Sequence, residues 1–190
     1  MQTLKRRKMR KRIVQLSVVF VLMIQCKEET NYTLASEQIG KITLTTQIQE
    51  LAVIFEKDSI VSHLNENNIT ESTYDEYLVY NKEGKHLLTV IPKTEKDSTS
   101  VIDNVQIFDK NYKTIKGLSI KSTFKDIVDS YTVNKVQSTF GTVVLFIDEL
   151  NVTVTIDKKE LGIKDFGTQK IKLEQIPELA KIKGLTFWFH

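Results

Sequence analysis

Apolar and polar residues alternate over short stretches along most of this chain, and the stretches resemble one another. Ile39-Gly40-Lys41-Ile42-Thr43-Leu44 returns in outline as Ile115-Lys116-Gly117-Leu118-Ser119-Ile120, and again as Ile182-Lys183-Gly184-Leu185-Thr186-Phe187. Period-two alternation of this kind predicts half-buried strands. After the first copy, Ile48, Leu51, Ala52 and Phe55 fall at i, i+3, i+4 and i+7; after the second, Phe124, Ile127, Val128 and Tyr131 do the same. Each set makes one face of a short helix. Thr46 and Ser122 are placed to cap these helices, and Glu50 and Asp126 put an acid in the first turns, where the helix dipole favours negative charge.

Two hairpins follow from the same pattern. Tyr77 to Tyr80 and His86 to Ile91 flank Asn81-Lys82-Glu83-Gly84, while Val143 to Ile147 and Val152 to Ile156 flank Asp148-Glu149-Leu150-Asn151. The expected fold class is α+β, a mainly antiparallel sheet with two short helices, built as a tandem strand-helix-strands repeat. Its halves span 39–114 and 115–181, and a C-terminal strand closes the sheet. The competing account is coincidence among common strand-turn-helix segments, since few identities support the match.

The start of the chain is patterned differently. Lys5, Arg6, Arg7, Lys8, Arg10, Lys11 and Arg12 form a positive block, and no acid precedes Glu28. Ile13 to Ile24 is an apolar run interrupted only by Gln15 and Ser17, about twelve residues where a membrane span needs about twenty. A basic block followed by a short apolar core predicts an export signal over residues 1–25. Met9 is an alternative start.

The run ends at Met23-Ile24-Gln25-Cys26, with the chain's sole cysteine, which leaves neither a disulfide framework nor a cysteine metal cluster. This segment resembles the lipobox of bacterial lipoproteins, with Gln25 where that family has a small residue and Met23 where Leu is usual. The resemblance implies diacylglycerol on the Cys26 thiol, cleavage before it, and acylation of the new amino terminus. Cys26-Lys27-Glu28-Glu29 is similar to the acidic leader of Bacteroidota lipoproteins, which implies an address for export to the cell surface. The remaining possibility is an ordinary secretory signal with an incidental cysteine. Residues 26–38 are polar and read as a tether, with one globular domain over 39–190.

Charge changes its meaning once the signal is set apart. Seven of the 27 Lys and Arg lie in residues 1–25, with none of the 24 Asp and Glu, so the remaining 165 residues carry 20 against 24. The basic balance belongs to the signal, and a nucleic-acid partner is excluded for want of a basic surface. Two prolines and seven glycines argue for an ordered body of a length that buries a real core.

Marks of catalysis are sparse. His63, His86 and His190 are scattered, and a zinc site needs at least three converging ligands, so no metal or cofactor is expected. No nucleophile elbow and no glycine-rich phosphate loop is present. Asp148, Glu149, Asp157, Glu160 and Asp165 are grouped, and facing carboxylates serve glycoside hydrolysis. Lys158, Lys159 and Lys164 run between them, however, which points to solvated turn charges. Alternation puts Phe187 and Phe189 on one face, in the core, and Trp188 on the other; a buried Trp188 is the plainer expectation, an exposed one would favour a sugar or protein contact. Asp58-Ser59-Ile60 and Asp97-Ser98-Thr99 resemble the acceptor pattern of Bacteroidota O-glycosylation.

Two function classes result. The first is a membrane-anchored extracytoplasmic lipoprotein at the outer membrane or cell surface, a non-enzymatic binding or structural module with an envelope protein or ligand as partner. The alternative is a small envelope hydrolase whose acids the fold assembles.

Overall fold

Inward-facing residues at every second position build the main layer. A computed structural model of the chain describes residues 32–64, 75–163, 167 and 169–189. Its larger sheet has eight strands: β4 (Ser59–His63), β5 (Glu76–Tyr80), β6 (His86–Pro92), β7 (Ile102–Ile107), β9 (Lys135–Ser138), β10 (Thr142–Ile147), β11 (Val152–Asp157) and β12 (Ile182–Trp188). They lie in the order β4-β5-β6-β7-β12-β11-β10-β9, and every neighbouring pair is antiparallel. A smaller sheet, β3-β2-β1-β8, joins β1 (Thr33–Ala35), β2 (Gln38–Ile39), β3 (Ile42–Thr43) and β8 (Lys113–Thr114), with β1 and β8 parallel. The helices are α1 (Leu51–Ile54), entered through a 3-10 turn at Ile48–Glu50, and α2 (Phe124–Ser130). The fold is α+β and dominated by strand.

One face of the large sheet supplies Val79, Leu88, Val90, Val105, Ile107, Val143, Leu145, Ile147, Val154 and Phe187 to the core, all buried. Ile48, Leu51 and Phe55 of the first helical segment join the same cluster, with Phe124, Ile127 and Tyr131 of the second and Leu34, Ile39 and Ile42 of the small sheet. Ala52 and Val128, the i+4 positions of the expected helical faces, are exposed. So short a helix turns only a narrow stripe inward. The hairpins β5-β6 and β10-β11 stand where the alternation placed them.

Several expectations are corrected. The folded body begins before Ile39: β1 opens at Thr33, and Leu34 is buried between β2 and β8, so the polar tether ends sooner than residue 38. A single apolar residue flanked by pairing strands is enough to hold such a segment, although it leaves no periodic trace. The helix caps fall one residue later, at Gln47 and Thr123. Thr46 and Ser122 instead close the preceding turns, their hydroxyls accepting from Thr43 N–H at 2.9 Å and Ser119 N–H at 3.1 Å.

Nor do the three similar hexapeptides share a structure. Gly40 breaks the first into β2 and β3 at φ 58°, and Gly117 holds the second in a turn at φ 87°, with Ile115 fully exposed. Glycine enters that left-handed region without steric cost. Gly184 instead lies within β12 opposite Thr155, so close that a Cβ at this position would stand 3.4 Å from the Thr155 Cβ. β12 is not a closing edge strand but lies between β7 and β11, in the middle of the sheet.

The boundaries 39–114 and 115–181 therefore do not describe the halves of the sheet. The hydrogen bonds mark other limits. Gln47 N–H donates to Glu50 Oε2 and Thr123 N–H to Asp126 Oδ2, both at 2.7 Å. Ile48 and Gln49 donate to the carbonyls of Ser100 and Ser98, and Phe124 and Lys125 to those of Ala180 and Glu178. The unpaired amides of each first turn are thus taken by the segment leading into β7 or β12.

Candidate binding face

The second face of the large sheet is built by the residues between the core positions. One row crosses it with a residue from each strand: Val61, Leu78, Thr89, Gln106, Thr186, Thr153, Phe146 and Lys135. At about 4.8 Å between strands the row is roughly 34 Å long. Its centre is hydroxyl and amide, its flanks are apolar, and at one end the Lys135 ammonium lies 4.8 Å from the Phe146 ring centre.

Beside this row, Ile91, Asn104 and Trp188 pair across β6, β7 and β12. The Trp188 indole N–H donates to Thr153 Oγ1 at 3.0 Å, which lays the ring over β11. Trp188 is half-buried, in place of the buried tryptophan expected, because the antiparallel sheet leaves this face without a second layer among the described residues. The ring forms a ridge with a groove on each side. One, of about 350 Å³, runs along Phe146, Asp148, Asn151 and Thr153; the other, of about 510 Å³, along Ile91, Lys93, Glu95, Asn104 and Gln106. Polar side chains on the floor and an aromatic plane on the ridge suit a flat or extended ligand with hydroxyl or amide groups.

At the β4 end of this face, His86 is stacked between Tyr80, with centroids 4.9 Å apart, and Phe108, at 4.1 Å. Its Nε2 lies 3.1 Å from Leu88 O and 3.0 Å from Thr89 Oγ1. Burial lowers the imidazole pKa, against the opposing pulls of the Leu88 carbonyl and Glu76. The ring's Nε2 is thus engaged within the protein, by Leu88 and Thr89. His63 stands exposed on edge strand β4, and among the described residues no three His, Cys, Asp or Glu converge. His190 and Cys26, with the rest of the leader, lie outside the described residues, as does Asp165.

The grouped acids are separated. Asp148 and Glu149 occupy the turn before β11; Asp157 ends that strand and Glu160 follows it. Six extended residues span about 20 Å, whereas paired glycosidase carboxylates stand roughly 5 to 10 Å apart. Asp157 is engaged by Lys159 N–H and by Lys183 at 3.1 Å, which hold its carboxyl below the usual range. Glu160 accepts from Lys181 N–H, and Glu149 from Thr132 N–H. Of the two acceptor-like tripeptides, Ser59 is exposed at the start of β4, while the Thr99 hydroxyl donates to Asp97 at 2.7 Å.

Asp148, Glu149, Lys159 and Glu160 are exposed, in keeping with solvated charge, and Lys158 is the exception. It is fully buried, and its ammonium donates to the carbonyls of Thr139, at 2.6 Å, and Gly167. One signal was available, for Lys158 continues the inward series Val152, Val154, Ile156.

An open-faced antiparallel sheet backed by helices defines the architectural class here. In fold the chain is similar to the uncharacterized protein yfeY from Escherichia coli, with a TM-score of 0.51 and 14% identity over 82% of this chain and 99% of that one. No family model matches the chain, and no curated protein does.

Proposed function

We propose that the protein is a lipid-anchored extracytoplasmic module, held through Cys26 at the outer membrane or cell surface, which binds an envelope ligand or protein on the open face of its large sheet. Trp188, set as a ridge between two grooves over a floor of Thr, Asn and Gln, is the observation that carries the binding role. The basic block, the short apolar core and Cys26 support the anchoring. Separation of Asp148 and Glu149 from Asp157 and Glu160 weighs against the hydrolase reading. The tandem origin of the sheet belongs to the same proposal, with halves that each begin at a helix and end in β7 or β12; the paired caps at Gln47 and Thr123 support it.

Because Trp188 is the chain's one tryptophan, its fluorescence reports on this face directly. Titration with fragments of envelope polysaccharide and peptidoglycan should shift the emission for the class that binds, and binding of that class should be lost in Trp188→Ala. Binding that leaves the emission unmoved would put the site elsewhere. For the anchor, Cys26→Ser should abolish lipid labelling and move the protein out of the membrane fraction. Changing Lys27, Glu28 and Glu29 to Ala should lower protease accessibility on intact cells while lipidation persists.

A further inference from the structure

The open sheet face carries a second aromatic group besides Trp188. Phe108 follows β7 directly and continues the outward series Asn104, Gln106 on that strand. One side of its ring lies on His86, with centroids 4.1 Å apart, and the residue is 45% exposed. The stack fixes the plane of Phe108 before any ligand arrives, so little side-chain freedom remains to be lost on binding. Trp188 is fixed in the same way by its bond to Thr153. Because Trp188 stands opposite Asn104, the two rings are separated by the run from Asn104 to Phe108 along β7 and by one strand across, roughly 14 Å in all.

The ground between the rings is polar. Gln106 and Thr186 line the groove of about 510 Å³ beside Trp188, and they are partners across β7 and β12 with half-buried side chains. Neighbouring polar groups are already engaged: Asn104 Nδ2 donates to Asp103 Oδ2 at 3.0 Å, and Thr89 Oγ1 lies 3.0 Å from His86 Nε2. Gln106 and Thr186 are therefore the groups that this floor presents to a ligand. A protein laid on it would have to supply a partner for each, against the apolar centre that such interfaces favour. Sugar hydroxyls both donate and accept, and the apolar side of a pyranose ring matches an aromatic plane. Charge narrows the choice further. Lys93 stands against Glu95 and Asp103 in this groove, and the groove on the other side of Trp188 adds Asp148. Such a lining repels a polyanion, which sets aside nucleic acids and acidic glycans alike.

We propose that the path from Trp188 to Phe108 binds a neutral polysaccharide, one sugar ring stacking on each aromatic residue and the rings between bonding to Gln106 and Thr186. This rests on the reading of the open sheet face as a binding surface, to which it assigns a ligand class and a length. A disaccharide reaches only one of the two rings, whereas a longer chain reaches both.

The test is calorimetric titration of the detergent-purified full chain with cellohexaose, maltohexaose, mannohexaose and N-acetylated chitohexaose, with the disaccharide of each, and with polygalacturonate as the polyanion. At least one neutral hexaose should bind, and its disaccharide about tenfold more weakly or worse. Polygalacturonate should not bind. Phe108→Ala should weaken the hexaose by about tenfold, the worth of one stacking contact, while its melting temperature and any affinity for the disaccharide stay those of the parent. Three results would overturn the proposal: no neutral hexaose binds, the hexaose binds no better than its disaccharide, or Phe108→Ala binds it as tightly as the parent. Its failure is distinguishable from that of the open face itself. Binding of polygalacturonate alone, or of an envelope protein alone, that Trp188→Ala abolishes would keep the open face as a binding surface and overturn the neutral chain. Hexaose binding that Trp188→Ala leaves intact would overturn both.

Discussion

The two faces of the eight-stranded sheet are made by the same strands and have opposite character. On β12, Leu185 and Phe187 point into the core, while Thr186 and Trp188, which alternate with them, point out. The inward row is aliphatic and aromatic and is covered by helices and the small sheet. The outward row is mostly hydroxyl and amide, with its aromatic residues standing apart as ridges or stacks. Burial of apolar area stabilises the first face, and the second is free to differ because little of the folding free energy depends on it. A face under so light a folding constraint is where a binding surface can be written.

Substitutions that trade the two faces test this division. Phe187→Ala should cost about 3 to 5 kcal/mol, as truncation of a fully buried aromatic does, read as a fall in urea midpoint. A loss below about 1 kcal/mol would mean that the inward row does not carry the fold.

Lys158 is the polar exception on the inward side. Lys158→Met keeps the volume but leaves the Thr139 and Gly167 carbonyls without their donor, and should cost about 1 to 3 kcal/mol. Equal or greater stability of the Met variant would show that the buried ammonium gains nothing from its carbonyl partners.

Across the sheet, Trp188→Ala should cost under about 1 kcal/mol, because one indole hydrogen bond and partial burial are lost, while binding on that face disappears. A cost matching that of Phe187→Ala would make Trp188 a packing residue after all.

The smallest effect concerns pH. The folded His86 pKa lies below that of the unfolded chain, so the unfolded state takes up the proton first. Its contribution is complete above about pH 6.5 and is lost as pH falls from there through the folded pKa. Urea midpoints at pH 7.5 and 5.5 should differ more for the parent than for His86→Phe; equal differences would exclude His86 as the source.

Local pattern made a good part of this structure legible. The hairpins at Asn81 to Gly84 and Asp148 to Asn151, the inward faces of Ile48 with Leu51 and of Phe124 with Ile127, and the opposite directions of Phe187 and Trp188 all follow from period and turn residues. Glu50 and Asp126 were also legible as first-turn acids, although each accepts from the cap residue's own amide. The grooves beside Trp188 were not, because their walls come from β6, β7, β10 and β11 as well as β12.

By itself the sequence determined where the chain alternates, where it turns, and that its first 25 residues are patterned unlike the rest. Those properties depend on neighbours within a few positions. Tertiary structure alone decided that β12 joins β7 to β11, that Leu34 anchors a strand inside the supposed tether, and that Lys158 is buried. Each depends on pairing between residues distant in the chain, and side chains of the same type meet opposite fates according to which strand the sheet sets beside them.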